Sequence, residues 1–360
     1  MKILLLSRYS SLAASTRLRF LQYVPYIARD GIEVTHEPLL DDEYLKKLYK
    51  GDSAGLGFIV SSYLRRISAL IKQRRYDLLW IQYELFPWVP HWIENLVHQT
   101  GIPYMVDYDD AFFHRYDMHR NPIIRRLLRS KIDRVMQGAS TVVAGNEYLA
   151  GRSRDAGCKR VQVIPTVVDI NRYSSENSKP HRTFTIGWIG SPVTSHYLSG
   201  IRHALEEVCR DTGATLVLVG SGQVSLHGVP TEILDWEEEN EVRDISTFDA
   251  GIMPLNDTPW DRGKCGYKLI QYMACGKPVV ASPVGANIGI VDHGTNGFLA
   301  RDEREWVKAL KNLCYDPELR HNMGMSGRRK VESGYCLQVT APRMLELIHE
   351  AADRRKPGGR

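Results

Sequence analysis

A chain of 360 residues is longer than the roughly 250–300 at which a single core stops growing, so two domains are expected. Its 43% hydrophobic and 25% charged residues exclude a disordered or collagen-like polymer and leave apolar mass for two cores. The net charge of +5 is uneven: 24 Lys and Arg stand against 18 Asp and Glu up to Ile170, and 23 against 24 beyond it, so the first half is the basic one.

The amino terminus, Met1-Lys2-Ile3-Leu4-Leu5-Leu6-Ser7, turns polar at Arg8, too early for a signal-peptide core or a membrane span. No later stretch approaches the roughly 20 apolar residues of a spanning helix. The six cysteines (Cys158, Cys209, Cys265, Cys275, Cys314, Cys336) form no Cys-x-x-Cys pair and cluster with no histidines. These features predict a reduced, cytoplasmic protein without structural zinc.

Short aliphatic runs at 2–7, 32–38, 77–82, 104–109, 140–144 and 161–165 each precede a segment of helical period. Strands alternating with helices predict a parallel sheet covered on both faces. The polar stretch 171–182 has linker composition. The pattern then restarts at 184–189, 215–219, 231–234, 249–254, 278–282 and 297–300. The division expected is 1–170, a linker at 171–182, 183–338, and a carboxyl-terminal helix with a polar tail at 339–360, the helix free to pack back on the first domain. The predicted class is α/β, two doubly wound domains with ligands beyond the carboxyl ends of their strands.

The run from Asp261 to Ser282 carries the most chemistry. It reads as loop, helix, glycine stop and strand. Gly263 and Gly266 open the helix, and Arg262, Lys264 and Lys268 lie within a turn or two of its positive end, the build of a phosphate site. Within it, Tyr272-Met273-Ala274-Cys275-Gly276-Lys277-Pro278-Val279-Val280-Ala281 resembles the Ala-Met-Ala-x-Gly-x-Pro-Val-Val-Ala motif of glycosyltransferase family 4. Phe248-Asp249-Ala250-Gly251-Ile252-Met253-Pro254 and Gly294-Thr295-Asn296-Gly297-Phe298-Leu299 resemble that family's strand and turn on either side. The resemblance covers most of residues 184–335 and, more faintly, the first half.

It implies the GT-B fold, two Rossmann-like domains facing across a cleft, and a retaining, metal-independent transfer of a hexose-type sugar from a nucleoside-diphosphate sugar to a glycan or lipid-linked acceptor. No cofactor is implied beyond the sugar nucleotide as co-substrate, and no nucleic-acid partner. The family's two motif glutamates fall on Gly263 and Gln271. An amide can still bond a ribose diol, so Gln271 is the ribose candidate, with Trp236 beside the nucleobase. The candidates for the diphosphate are Ser191, Thr194, Arg262, Lys264, Gly266, Tyr267 and Lys268, joined from the first domain by Arg17, whose loop resembles the family's first loop and which is a candidate for the diphosphate or for an anionic acceptor. Lys268 is also a catalytic candidate, since charge develops on the leaving diphosphate.

Asp109 and Asp110, at the end of a first-domain strand, are catalytic candidates for receiving the acceptor's proton or steadying positive charge on the sugar. Asp107-Tyr108-Asp109 also fits the short Asp-x-Asp metal motif of the other large glycosyltransferase fold. The plain alternatives are solvated lysines at 264 and 268, helix capping at Asp109 and Asp110, a surface ion pair at Arg17 and an ordinary half-buried Trp236. Gly220-Ser221-Gly222 mimics a dinucleotide fingerprint but lacks its third glycine.

Arg115 to Arg134 carries seven basic and two acidic residues. Ile123, Ile124, Leu127, Leu128, Ile132, Val135 and Met136 recur at helical spacing and read as core, with the arginines solvated or meeting anionic lipid head groups, or a lipid-pyrophosphate acceptor, at the inner membrane face. The rival functions are a sugar-nucleotide epimerase or phosphorylase on the same architecture, a binding protein of the periplasmic kind, and a non-catalytic subunit that binds donor.

Overall fold

The computed structural model describes residues 1–49, 55–98, 101–173 and 183–353. The chain folds as two compact units, residues 1–166 with 340–360, and residues 167–339. Of the expected linker, only 171–173 lie among the described residues, Asn171 and Arg172 in a short 3-10 turn. The end of the tail, 354–360, lies outside them.

Six strands form the first sheet: β1 Lys2–Leu6, β2 Glu33–His36, β3 Leu78–Gln82, β4 Tyr104–Tyr108, β5 Thr141–Ala144 and β6 Val161–Val163. They pair in parallel in the order β2-β1-β3-β4-β5-β6. All five residues of β3 and of β4 are buried, which is why these strands read as continuous apolar runs and not as alternation. The edge strands β2 and β6 are half-buried and correspondingly more polar.

The second sheet comprises β7 Thr185–Ile189, β8 Thr215–Val219, β9 Thr231–Leu234, β10 Ala250–Met253, β11 Val279–Ala281 and β12 Gly297–Leu299, again all parallel, in the order β12-β11-β10-β7-β8-β9. Leu216 and Leu218 point into one apolar layer with Trp188, Leu205 and Leu310. Val217 and Val219 point into the opposite layer with Phe248, Leu269, Tyr272 and Val279. The strand period of two thus fills both faces from a single run of letters.

Two glycines decide how closely the second layer approaches its sheet. A Cβ on Gly187 of β7 would overlap the Phe248 ring, and one on Gly251 of β10 would overlap Tyr272. Tyr272 lies on the helix Tyr267–Ala274 and is fully buried, and its hydroxyl accepts from Ile189 N–H at 2.9 Å. Gly327, on the helix Pro317–Gly334, admits Met273 from the other side. The helix is therefore gripped at both faces.

The helix Leu337–Asp353 is amphipathic, and from Thr340 onward it belongs to the first unit. Thr340 Oγ1 shares a 3.0 Å hydrogen bond with the Tyr23 hydroxyl, His349 Nε2 meets Asp30 at 2.7 Å, and Arg160 pairs with Glu350. Deep in this unit Arg19 and Asp107, both buried, form a two-point pair at 2.8 and 2.9 Å.

Filling the space over β10 should lower stability. We expect Gly251→Ala to cost about 1–3 kcal/mol in urea unfolding, the usual range for overpacking. Gly289→Ala, where an added Cβ meets nothing within 4 Å, is the control and should change little. Equal midpoints for the two variants would show that the helix does not depend on this close approach.

Candidate functional site

In the second sheet the strand order reverses between β7 and β10, and a crevice at such a reversal is where parallel sheets take ligands. Gly190 and Gly220 follow β7 and β8 there, and their N–H groups extend the ladder to Val219 O at 3.0 Å and Leu234 O at 2.8 Å. A Cβ on Gly190 would come within 2.9 Å of Lys268 Nζ, so the bare glycine leaves space for the ammonium group. That group lies 5.1 Å from the centroid of the Trp188 ring, a cation–π contact that holds it at the reversal.

The helix that carries Lys268 begins at Gly266, whose φ of +67° suits glycine and whose missing side chain admits Ile290. Its first residues, Tyr267 and Lys268, occupy the end where the helix dipole is positive. Gln271 sits three residues on and is buried. Of the diphosphate candidates, Lys268, Gly266 and Tyr267 are thus brought to the strand ends.

The others have local engagements. Arg262 makes a two-point pair with Asp257 at 2.6 and 3.0 Å, and this hydrogen bonding holds the Asp257 carboxyl below its ordinary range. Lys264 lies 5.6 Å from the Trp260 ring. Ser191 precedes the 3-10 helix Pro192–Ile201, and its carbonyl accepts from Thr194 N–H at 2.9 Å and Thr194 Oγ1 at 3.0 Å. Thr194 has spent its hydroxyl proton on the turn and offers a lone pair, the wrong polarity for phosphate in this arrangement. Ser191 is exposed and its hydroxyl caps nothing.

Trp236 packs beside Gly220, where a Cβ would approach its own Cβ to 2.9 Å, and its indole N–H donates to Glu241 Oε2 at 3.0 Å. Glu241 also accepts from the Tyr173 hydroxyl at 2.6 Å, and burial pushes the Tyr173 phenol well above its ordinary value. Glu241, Tyr173 and Trp188 have no motif to announce them. Nor does the bond from the Tyr197 hydroxyl to buried Asp261, which ties the 3-10 helix to the short helix Pro259–Arg262 before Gly263.

In the first unit Arg17 donates to the carbonyls of Ser11 and Leu12 at 2.9 and 2.8 Å and so closes its own loop. Asp109 accepts from the Tyr83 hydroxyl, and the Asp110 carbonyl accepts from Phe112 N–H at 2.8 Å. Both aspartates are half-buried, and Phe113, not Asp109 or Asp110, stands at the amino end of the next short helix. Asp107 is engaged with Arg19, so the Asp-x-Asp spacing does not present two carboxylates to one ion.

The basic stretch breaks at Arg129 and Ser130 into the helices Pro122–Leu128 and Lys131–Gly138. The break corrects the reading of one apolar face: Leu128, Ile132, Val135 and Met136 are buried, whereas Ile123 and Leu127 are exposed. Lys131 is not a surface cation. It lies fully buried between Glu84 at 2.6 Å and Glu94 at 3.0 Å.

Two family models together cover most of the chain. A glycosyl transferase 4-like domain matches residues 17–166 and glycosyl transferases group 1 matches residues 183–316. TuaH of Bacillus subtilis (strain 168), assigned to teichuronic acid biosynthesis as a glycosyltransferase, is 25% identical over 178 residues, 44% of this chain and 44% of that protein. A D-inositol 3-phosphate glycosyltransferase of Pseudarthrobacter chlorophenolicus is 36% identical over 92 residues, 25% of this chain and 21% of its own length. The chain therefore matches less than half the length of these curated relatives.

Among solved structures, sucrose-phosphate synthase from Thermosynechococcus elongatus matches with a TM-score of 0.74 over 98% of this chain and 100% of that one, at 16% identity. Anabaena HepE in complex with UDP matches with a TM-score of 0.71 over 97% and 100%, also at 16%. Both likenesses are of fold, and the fold is GT-B.

The buried Glu94 carries a dependence on pH. Burial, aided by Glu84 and opposed by Lys131, pushes its carboxyl from an ordinary 4.5 up to about 7. The folded chain holds this proton more tightly than the unfolded one, so the contribution is whole below about 4.5 and lost as pH rises through about 7. Glu94→Gln removes the loss. Its urea midpoint relative to the parent should climb between pH 5 and pH 8, and a constant difference would contradict the assignment.

Proposed function

Because the chain belongs to the family 4-like glycosyltransferases of GT-B fold, we propose that it transfers a hexose-type sugar from a nucleoside diphosphate to a glycan or lipid-linked acceptor, with retention of configuration and without a metal ion. The observation that carries the donor side is the Lys268 ammonium, placed by Trp188 and admitted by Gly190 where the strand order reverses. A fixed cation at this point meets negative charge as it develops on the departing diphosphate. The helix start at Gly266 adds its dipole, Ser191 a hydroxyl, Gln271 an amide for the ribose, and Trp236 an aromatic face for the base.

Lys264 and Arg262 are supporting charges in this reading, Arg262 the weaker because Asp257 already answers it. The acceptor side falls to the first unit, where Asp109 and Asp110 follow β4 as proton acceptors or charge stabilisers. That HepE is described in complexes with UDP and with UDP-glucose supports a sugar-nucleotide donor. The assignment of TuaH to teichuronic acid supports a place in cell-surface polysaccharide or glycolipid synthesis.

Peripheral attachment to the cytoplasmic face of a membrane is part of the proposal. Among the described residues no helix is long and apolar enough to cross a bilayer. The helix Leu56–Ile71 instead carries an outward apolar stripe: it buries Ser62, Arg66 and Leu70, and turns Leu56, Val60, Leu64, Ile67 and Ile71 outward, Leu56 being 80% and Ile71 76% exposed. No Asp or Glu occurs from Gly55 to Arg75, while Arg65, Lys72, Arg74 and Arg75 are basic and exposed. Ile123 and Leu127 stand out in the same way beside Arg125, Arg126 and Arg129. An apolar stripe framed by cations fits anionic lipid.

Turnover with the preferred sugar nucleotide should fall about 10²- to 10³-fold in Lys268→Ala, the usual loss when a charge-stabilising contact is removed. Near-normal turnover would end the assignment of Lys268. Donor binding with no transfer or hydrolysis in the parent protein would instead mark a non-catalytic, partner-dependent subunit, the alternative that Gly263 and Gln271 in the glutamate positions keep open.

Flotation with vesicles containing phosphatidylglycerol tests the surface. The protein should float with them, less so in high salt, and the double variant Leu64→Glu, Ile67→Glu should stay at the bottom. Equal flotation with neutral vesicles would count against recognition of anionic lipid, and no flotation at all against the membrane.

A further inference from the structure

Among the described residues only two non-glycines adopt a left-handed backbone, Tyr83 at φ +61° and Trp88 at φ +64°. Tyr83 is the buried one, and it stands directly after β3. It is the middle residue of a three-residue turn, closed by Glu84 N–H on Gln82 O at 2.7 Å. A turn of this kind with positive φ at its centre is strained for a residue with a side chain. A bulky residue keeps such a backbone only where its surroundings over-determine it.

Those surroundings come from one segment. Tyr83 N–H donates to Asp107 O at 3.1 Å, and the Tyr83 carbonyl accepts from the Tyr108 hydroxyl at 2.7 Å. The Tyr83 ring stacks on Phe112, with centroids 3.8 Å apart and planes 17° from parallel. Its hydroxyl donates to Asp109 Oδ1. Backbone, ring and hydroxyl of one residue are thus all bound to residues 107–112, the end of β4 and the loop that carries Asp109 and Asp110.

Packing alone does not ask for this residue. Phenylalanine would fill the same space and stack on Phe112 without bringing a polar group into the interior, and glycine would take the turn without strain. What tyrosine adds is the hydroxyl, and the hydroxyl's partner is Asp109. Burial, followed by the charges of Asp109 and Asp110, holds the phenol well above its ordinary value, so it remains a donor throughout the neutral range. Of the three aspartates in this segment, Asp107 is committed to Arg19 at both oxygens.

We propose that Tyr83 is a positioning residue for the transfer step: its hydroxyl fixes the direction in which the Asp109 carboxylate faces, and the strained turn after β3 delivers that hydroxyl. A carboxylate that takes a proton or faces developing positive charge works from one placement, and rotation about its own side-chain bonds would lose it. The neutral phenol holds one oxygen without the positive charge that Arg19 brings to Asp107, so the charge of Asp109 is kept for the reaction. The catalytic meaning rests on the reading of Asp109 as the acceptor-side carboxylate; the holding of Asp109 does not.

The test compares the full chain, Tyr83→Phe, Asp109→Asn and the double variant by release of nucleoside diphosphate from UDP-glucose, UDP-N-acetylglucosamine or GDP-mannose, whichever the parent turns over fastest. Tyr83→Phe should lower kcat about tenfold or more with the donor KM unchanged, and Asp109→Asn about 10²-fold or more. The double variant should be no slower than Asp109→Asn, since the tyrosine acts through the carboxylate. Losses that multiply, as for a tyrosine that only supports the fold, or parental kcat in Tyr83→Phe, would overturn the proposal. Crystal structures of the parent and of Tyr83→Phe read the placement itself. The Asp109 carboxylate should occupy one position in the parent and shift or split in the variant, and an unmoved carboxylate would refute the proposal without any assay. Should Tyr83→Phe fail to fold, Tyr108→Phe, which releases the Tyr83 carbonyl, carries the same comparisons. A carboxylate that moves in the crystal, with none of the three sugar nucleotides turned over by the parent, would leave the holding of Asp109 established and count against the transferase reading.

Discussion

The second unit depends on one close approach. Tyr272 lies flat against the bare backbone of Gly251, and its hydroxyl reaches the N–H of Ile189 at the end of β7. A phenol so deeply buried needs that partner, and the partner fixes the helix along its axis as well as against the sheet. Since Lys268 is one turn back on the same helix, this bond between a core tyrosine and a strand end sets where the ammonium group stands over Trp188. Packing and chemistry share an element, so the motif residues from Tyr272 to Gly276 bear on the site without touching a ligand.

The first unit solves a different problem. Its interior carries Arg8, Arg19, Arg66 and Lys131, all buried. Arg19 meets a full carboxylate partner in Asp107, whereas Arg66 relies on the carbonyls of Ser7 and Glu37, and burial brings its pKa down to about 9. Charges removed from water without equal partners are costly. Arg8, Arg66 and Lys131 gather about the carboxyl ends of β1 and β3 and bring Glu84 and Glu94 into the dry interior with them. Burial there, with Glu84 close by, is why Glu94 keeps its proton to a higher pH.

The architecture was legible because both sheets are buried on both faces. Each strand then appears as an uninterrupted aliphatic run, and all twelve runs read from the letters are strands, shortened by a residue or two at some ends. The phosphate-type helix was legible for a local reason, since Gly266 and Lys268 are close in the chain. What stayed hidden were partners distant in sequence or engagements too local to suspect. Arg262 looks like a free cation until Asp257 is seen five residues back, and Arg17 until its own loop carbonyls are. Trp188 stands eighty residues before the lysine it holds, and Tyr197 sixty-four before Asp261.

The net positive charge of the first half illustrates the same limit. Counted along the chain, it suggests a surface for an anion, and at Arg65, Lys72, Arg74 and Arg75 the charge is indeed exposed. Yet Lys131, in the middle of the most basic stretch, is wholly interior, and Arg115 at its start rests between two aromatic rings. Charge in a sequence reports how many ions must be satisfied, not where. In this fold the exposed cations frame an apolar helix face, while the buried ones are answered inside by Asp107, Glu84, Glu94 and backbone carbonyls, so a single count conceals two physically different settings for positive charge.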